Sequence, residues 1–252
     1  MRFRGYDRGC ALLGENLLPV AILAGGLSTR LRPLTEKIPK SLLEVNGEPF
    51  IAHQLRLLRA NGVRRVVLCV GHFGEMIRDV LKDGSAYGVE VDYAFDGASL
   101  LGTAGAVKNA LPKLGDSFFV LYGDSYLVCD YAAVARSFSS SGKQALMTVF
   151  RNNGMWDSSN VEFEGGQILA YSKTNKTSRM KYIDFGLGAF RAVAFENVPA
   201  GEPTDLATLY GDLLQAGQLA GCEVTQRFYE IGSPAGLEET ARFIAAQGAV
   251  RG

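Results

Sequence analysis

Apolar and polar positions in the first 150 residues follow two alternating rhythms. Short β-rich runs are succeeded by stretches in which apolar residues recur every three or four positions. Pro19 to Leu23 reads as a strand that ends on Gly25-Gly26. Phe50 to Asn61 reads as a helix, with Ile51, Leu55 and Leu58 on one face and Gly62 as its stop. The same rhythm predicts strands at Arg65–Val70, Val89–Phe95, Phe118–Tyr122 and Ala145–Phe150. Helices are predicted at Gly74–Leu81, Thr103–Leu111 and Tyr131–Ser139. Strands separated by helical crossovers make an α/β fold, a mostly parallel sheet covered by helices on both faces. In such sheets ligands gather beyond the carboxyl ends of the strands, so the loops after Leu23, Val70, Phe95 and Tyr122 draw attention.

After Phe150 the pattern becomes β-rich. Asn160 to Glu164 and Gln167 to Tyr171 flank Gly165-Gly166 and read as a hairpin. Further strands are expected at Tyr182–Arg191 and Glu223–Phe228, with helices at Asp205–Gln215 and Pro234–Ala246. No repeat, low-complexity tract or linker divides the chain. The expectation is a single domain over 19–252: an α/β portion at 19–150, then a smaller β-rich portion and a closing helix at 151–252. That β-rich portion is expected to lie as a layer over one edge. Residues 1–18 have arginines but no long apolar core, and read as a poorly ordered extension or a misplaced start.

Composition narrows the classes. With 252 residues and 47% hydrophobic content the chain can bury a sizeable core. Lys+Arg and Asp+Glu balance at 26 each, so no overall charge draws it to nucleic acid or to an anionic membrane. No segment approaches the length of an apolar membrane span. The four scattered cysteines and two histidines form no zinc pattern and suit reduced thiols in the cytoplasm.

The run Gly25-Gly26-Leu27-Ser28-Thr29-Arg30-Leu31-Arg32-Pro33-Leu34-Thr35 follows the first strand directly. Gly25 and Gly26 allow close approach of backbone to a phosphate, Ser28 and Thr29 add hydroxyl donors, and Arg30 and Arg32 add fixed charge. Lys40 follows ten residues after Arg30. The run lacks the Gly-Lys-Ser/Thr of a P-loop and the third glycine of a dinucleotide fingerprint. On residues alone it is either a phosphate loop or an ordinary surface loop. The whole stretch from Leu23 to Thr35, closing on Pro39-Lys40, resembles the signature of the sugar-1-phosphate nucleotidylyltransferases. The likeness extends from about Leu18 to about Ile244. It is nearest to a short bacterial branch that includes heptose-1-phosphate guanylyltransferases and muramic acid-1-phosphate uridylyltransferases. Ser28 and Ser41 depart from that pattern, where glycine and proline are usual.

Other constellations carry open alternatives that the resemblance weights. Leu101-Gly102-Thr103-Ala104-Gly105 opens a helix, either as a ligand-facing N-terminus, which Thr103 can cap, or as a tightly packed turn. The resemblance makes Gly102, Thr103 and Gly105 base-site residues, and Gly71 sits at the same rim. Asp124, just past a buried strand, is either a cap or a ligand for a hard cation. The resemblance assigns it to Mg2+. Glu230 stands where a second metal aspartate is usual, or is simply an exposed glutamate before a turn. Asn160, Lys173 and Asp184 are sugar-site candidates or solvated polar residues, and Ser172 replaces the glutamate that usually precedes the lysine. Trp156 is a core or interface residue or a sugar platform.

What the resemblance implies is a Rossmann-like magnesium enzyme joining the monophosphate of an NTP, GTP or UTP, to a sugar 1-phosphate. The acceptor phosphate is already ionised, so in-line positioning and charge stabilisation by Arg30 and Lys40 suffice. Two alternatives stand beside it: transfer to a non-sugar phosphate monoester, and a nucleotide-sugar-binding protein without turnover.

Overall fold

A computed structural model of the chain describes residues 17–26, 31, 33–156 and 158–249. Strand β1 (Val20–Leu23) opens the fold. The hairpin β2 (Glu44–Val45) and β3 (Glu48–Pro49) then leads into helix α1 (Phe50–Ala60). The alternation continues through β4 (Arg65–Val70), α2 (Gly74–Leu81), β5 (Glu90–Phe95), α3 (Gly102–Leu114) and β6 (Ser117–Tyr122). A short β7 (Ser125–Tyr126), α4 (Tyr131–Ser141) and β8 (Ala145–Arg151) follow. The second half holds β9 (Val161–Glu164), β10 (Gln167–Tyr171), β11 (Tyr182–Arg191), α5 (Leu206–Gln215), β12 (Leu219–Val224), β13 (Tyr229–Glu230) and α6 (Pro234–Ala249).

β1 pairs in parallel with β4 on one side and β6 on the other, and β5 lies parallel beyond β4. The chain therefore walks outward from β1 to β5 and then returns across β1 to lay down β6. That reversal opens a crevice at the carboxyl ends of the central strands. β11 adds antiparallel to β6, β8 antiparallel to β11, and β12 parallel to β8. Most strands of the second half thus prolong the same sheet. The β9–β10 hairpin joins the same sheet through Tyr182 of β11, so the separate layer expected over one edge is not formed. There Gly221 of β12 leaves room for Phe163, which a Cβ would meet at 2.6 Å.

Side-chain alternation decides the faces. Val20 and Ile22 of β1, with Val66, Leu68 and Val70 of β4, pack in one core with Ile51, Leu55 and Leu58 of α1 and Ile77 of α2. Ala21, Val67 and Cys69 point the other way, against Val107 and Ala110 of α3 and Leu206 and Leu209 of α5. A small third cluster of Val45, Phe50, Tyr126 and Ile231 seats Leu237 and Phe243 of α6. Asp130 and Asp205 cap α4 and α5, accepting from Ala133 N at 2.8 Å and Ala207 N at 2.7 Å.

Three further expectations change. The strand expected at Glu223–Phe228 lies earlier, at β12, because parallel pairing with β8 recruits the weakly β-forming Leu219-Ala-Gly-Cys stretch. Helix α3 runs past Pro112 to Leu114, the proline falling in its last turn. Leu17 and Leu18, read as part of an extension, pack against the core of α1, whereas residues 1–16 lie outside the described residues.

Leu55 is fully buried and Leu169 of β10 is 48% exposed. Leu55→Ala is expected to lower stability by about 2–5 kcal/mol. Leu169→Ala should change it by no more than about 0.5 kcal/mol. Urea unfolding midpoints of the two variants check this ordering.

Candidate active site

Four strand ends, with the loops after β1, β5 and β6, surround the crevice. Leu23, Ala24, Gly25 and Gly26 follow from β1, Cys69 comes from β4, Asp96 and Leu100 follow β5, and Tyr122, Gly123 and Asp124 follow β6. With Gly102 and Thr103 they line a cleft of about 220 Å³. Close backbone contact makes this possible. A Cβ on Gly123 would meet the Leu23 carbonyl at 2.7 Å, and one on Gly71 would meet Leu100 at 2.6 Å and the Gly25 carbonyl at 2.8 Å. Burial pushes the Cys69 thiol up to about 12 and removes it from chemistry at neutral pH.

Lys40, on a single 3-10 turn after Pro39, sends its Nζ to Asp124 Oδ2 at 2.8 Å. Asp124 Oδ1 accepts from Ser125 Oγ at 3.2 Å. The loop carrying Asp124 is clamped from behind. Gln54, buried on the apolar face of α1, donates from Nε2 to the carbonyls of Tyr122 at 3.0 Å and Ser125 at 2.6 Å. Ile231 N donates to the Asp124 carbonyl at 2.9 Å, and β13 pairs with β7 so that Glu230 faces Ser125.

A second cavity, of about 610 Å³, opens on the far side of Tyr122 and Asp124, which line both spaces. Asn160, Lys173, Asp184, Phe228 and Glu230 also border it. Asn160 Oδ1 accepts from Asp184 N at 2.9 Å, and Asp184 Oδ1 accepts from Gly186 N at 3.0 Å. Burial raises the Asp184 carboxyl above its ordinary range, opposed by the Gly186 N–H and by Lys173. Lys173 pairs with Asp205 at 3.2 Å.

The structure brings most of the expected residues to these two spaces and gives some a different task. Gly71 and Gly105 border neither space: Gly71 seats the Gly25 loop, and Gly105 admits the Glu202 carbonyl, which a Cβ would meet at 2.7 Å. Thr103 lines the cleft, yet its Oγ1 accepts from Leu206 N at 2.7 Å and so caps α5 rather than its own helix. Ser28, Thr29, Arg30 and Arg32 lie outside the described residues. The Glu230 carboxylate is turned to α6, accepting from Gly232 N and from Ser233 Oγ. Among the described residues no three His, Cys, Asp or Glu side chains gather as a ready-made metal cage. Asp124 nevertheless suits a hard cation of the magnesium type, which takes one or two carboxylates and completes its shell with water and substrate phosphates.

Asp96, Gln54 and Tyr122 were not singled out from sequence. Asp96 is the first residue after β5, and burial raises its carboxyl despite a hydrogen bond from Leu101 N at 3.2 Å. Its other oxygen is buried with no hydrogen-bond partner. Gln54 announced itself faintly, as a polar residue on the apolar face of a helix.

With this geometry in view, comparison with known proteins is decisive. The family described as nucleotidyl transferase matches residues 20–159. N-acetylmuramate alpha-1-phosphate uridylyltransferase of Neisseria meningitidis is 32% identical over 238 residues, covering 89% of this chain and 97% of that protein. The chain belongs to the nucleotidyl transferase family. Its relatives include mannose-1-phosphate guanylyltransferase catalytic subunit beta of Xenopus tropicalis, 28% identical over 84% of this chain, of which the chain spans only 61%. The fold matches that of the inositol-1-phosphate CTP transferase from T. maritima, with a TM-score of 0.75 at 21% identity over 92% of this chain and 96% of that one. The family is one of sugar-1-phosphate nucleotidylyltransferases, and the chain is accordingly an enzyme.

Gln54→Leu removes the donor from two part-buried carbonyls that hold the Asp124 loop. The expected loss of stability is about 1–3 kcal/mol. It is measured as a shift in urea midpoint at unchanged slope, and an unchanged midpoint would refute the clamp.

Proposed function

We propose that the protein transfers the nucleoside monophosphate of GTP or UTP to a sugar 1-phosphate, releasing pyrophosphate and forming an NDP-sugar, in the cytoplasm. One observation supports this most strongly. Asp124, paired with Lys40 at 2.8 Å, lines both the cleft among the strand ends and the cavity beyond it. The portion at 19–150 then holds the nucleotide, and the portion at 151–252 holds the sugar. Asp96 suits the choice of base, because its buried free oxygen complements the ring N–H that guanine and uracil carry and adenine and cytosine lack.

The acceptor phosphate needs no base to deprotonate it. The chain's task is to hold two anions in line and to neutralise the charge that builds on the transferred phosphoryl group and on departing pyrophosphate. Lys40, on a single 3-10 turn, lines the nucleotide cleft and pairs with Asp124, which borders both spaces, so its charge is available to that transfer. Arg30, by its place in the signature, supplies the second cation. Asn160, Lys173 and Asp184 border the sugar cavity, with Lys173 supplying positive charge for the acceptor phosphate. Asp124 would hold magnesium, joined by Glu230 if that carboxylate leaves α6. A bound magnesium ion supplies electrostatic stabilisation of the phosphate oxygens.

Pyrophosphate is expected to appear only when an NTP, a sugar 1-phosphate and magnesium are all present. Release of inorganic phosphate instead, or indifference to EDTA, contradicts the assignment. Lys40→Ala and Arg30→Ala should each lower kcat by about a hundredfold.

The two carboxylates should separate in a titration of turnover against magnesium. Asp124→Asn is expected to weaken apparent magnesium affinity and kcat more than Glu230→Gln, whose carboxylate already serves Gly232 and Ser233. A Glu230→Gln curve that overlays wild type would make Glu230 a helix cap and withdraw it as a ligand.

A further inference from the structure

The segment between β8 and β9 is held at the acceptor cavity by an unusual stack. Asn152 is 2% exposed and binds the segment from within. Its Oδ1 accepts from Trp156 N at 3.0 Å, and its Nδ2 donates to Ser159 Oγ at 3.1 Å. The Arg227 guanidinium lies over the Trp156 ring, 3.5 Å from its centroid, and over the Tyr229 ring at 4.5 Å. Tyr229 in turn stacks on Phe243 of α6, with centroids 3.8 Å apart and planes 15° from parallel.

Arg227 is fixed along its edge as well. Its two terminal nitrogens donate to Glu239 at 2.7 and 2.8 Å, and Nε donates to the Phe228 carbonyl at 3.2 Å. The planar fork is thus oriented before any ligand arrives, and a lysine cannot reproduce it. The Trp156 ring stays 38% exposed. It lines a space of about 470 Å³ whose wall of Phe228, Glu230 and Ser233 is shared with the sugar cavity. Ser158 and Asn160, a few residues along the same segment, border that cavity directly.

We infer that Trp156, seated on Arg227, is a positioning residue that fixes the rim of the acceptor cavity and sets affinity for the sugar phosphate, but not for the nucleotide. The inference rests on the proposed reading of that cavity as the acceptor site. Aromatic–guanidinium stacking supplies the rigidity, since Arg227 has few rotamers left once its face and edge are engaged and Trp156 rests on it. The nucleotide cleft shares no residue with this stack.

Trp156 is the only tryptophan of the chain, so its fluorescence reads the stack directly. The probes are mannose 1-phosphate, glucose 1-phosphate, N-acetylmuramate 1-phosphate and, as a control, inorganic phosphate. At least one sugar phosphate should change the wild-type emission saturably without NTP, whereas NTP alone should leave it unchanged. With the best of these acceptors, Trp156→Ala should raise KM for the sugar phosphate at least tenfold, with KM for NTP and kcat within about twofold. Trp156→Phe should restore KM to within about threefold, which shows that the alanine effect is not a folding defect. Arg227→Lys should raise acceptor KM as Trp156→Ala does and shift the tryptophan emission. Equal rises in both KM values, or an unchanged acceptor KM in Trp156→Ala, overturn the inference. Should wild type release no pyrophosphate with any acceptor, the proposed reaction fails. The emission titration then decides the inference alone: a saturable response to a sugar phosphate sustains it, and a flat one overturns it.

Discussion

Lys40 and Asp124 stand 84 residues apart in the chain and meet at 2.8 Å where β6 ends. Holding a lysine and an aspartate together at a partly buried point costs desolvation of both, which their pairing offsets only in good geometry. The surrounding structure supplies that geometry. Gln54 clamps the Asp124 loop from α1, Ile231 fixes its carbonyl from β13, and Gly123 lets it lie against the end of β1. The pair is also where two phosphate-bearing substrates of a nucleotidyl transferase would meet.

Topology explains why the site is there. The chain's return across β1 leaves the ends of β1 and β6 adjacent but their loops diverging, which opens the cleft. The antiparallel addition of β11 and β8 then raises a wall beyond β6, behind which the second cavity forms. β7 and β13 stitch that wall to α6, so that the closing helix, the Glu230 strand and the Trp156 segment become one mechanical unit. The two cavities are thereby bordered by different parts of one continuous sheet.

Apart from the two-residue strands β2, β3 and β7, the order of elements up to β8 was legible because period-2 and period-3.6 patterns agree there with the turn signals. Arg65–Val70 and Gly74–Leu81 match β4 and α2 end to end. The loops after Leu23, Phe95 and Tyr122 were legible too, since an α/β sheet dictates where clefts form, whereas β4 lends the cleft Cys69 and not the loop after Val70. What stayed hidden depends on distant partners. Thr103 caps a helix a hundred residues away, Gly71 and Gly105 serve backbone packing, and the pull of β8 on β12 cannot be read from Leu219-Ala-Gly-Cys. The small β2–β3 hairpin was missed although its Asn46-Gly47 turn, with both residues at positive φ, is a clear local signal. Glu230, a metal-carboxylate candidate by its place in the motif, accepts from Gly232 N and Ser233 Oγ just before α6, a local arrangement the motif does not reveal.

In the proposed reaction Asp124 would hold the metal, and Lys40, its partner at 2.8 Å in this structure, would then be free to meet the phosphates. A crystal structure with Mn2+ and a non-hydrolysable GTP or UTP analogue tests it most directly, through the anomalous signal of the metal. A manganese peak in contact with Asp124, and the Lys40 Nζ on a phosphate oxygen, are expected. A Lys40–Asp124 pair still intact, with the metal bound elsewhere, would contradict it.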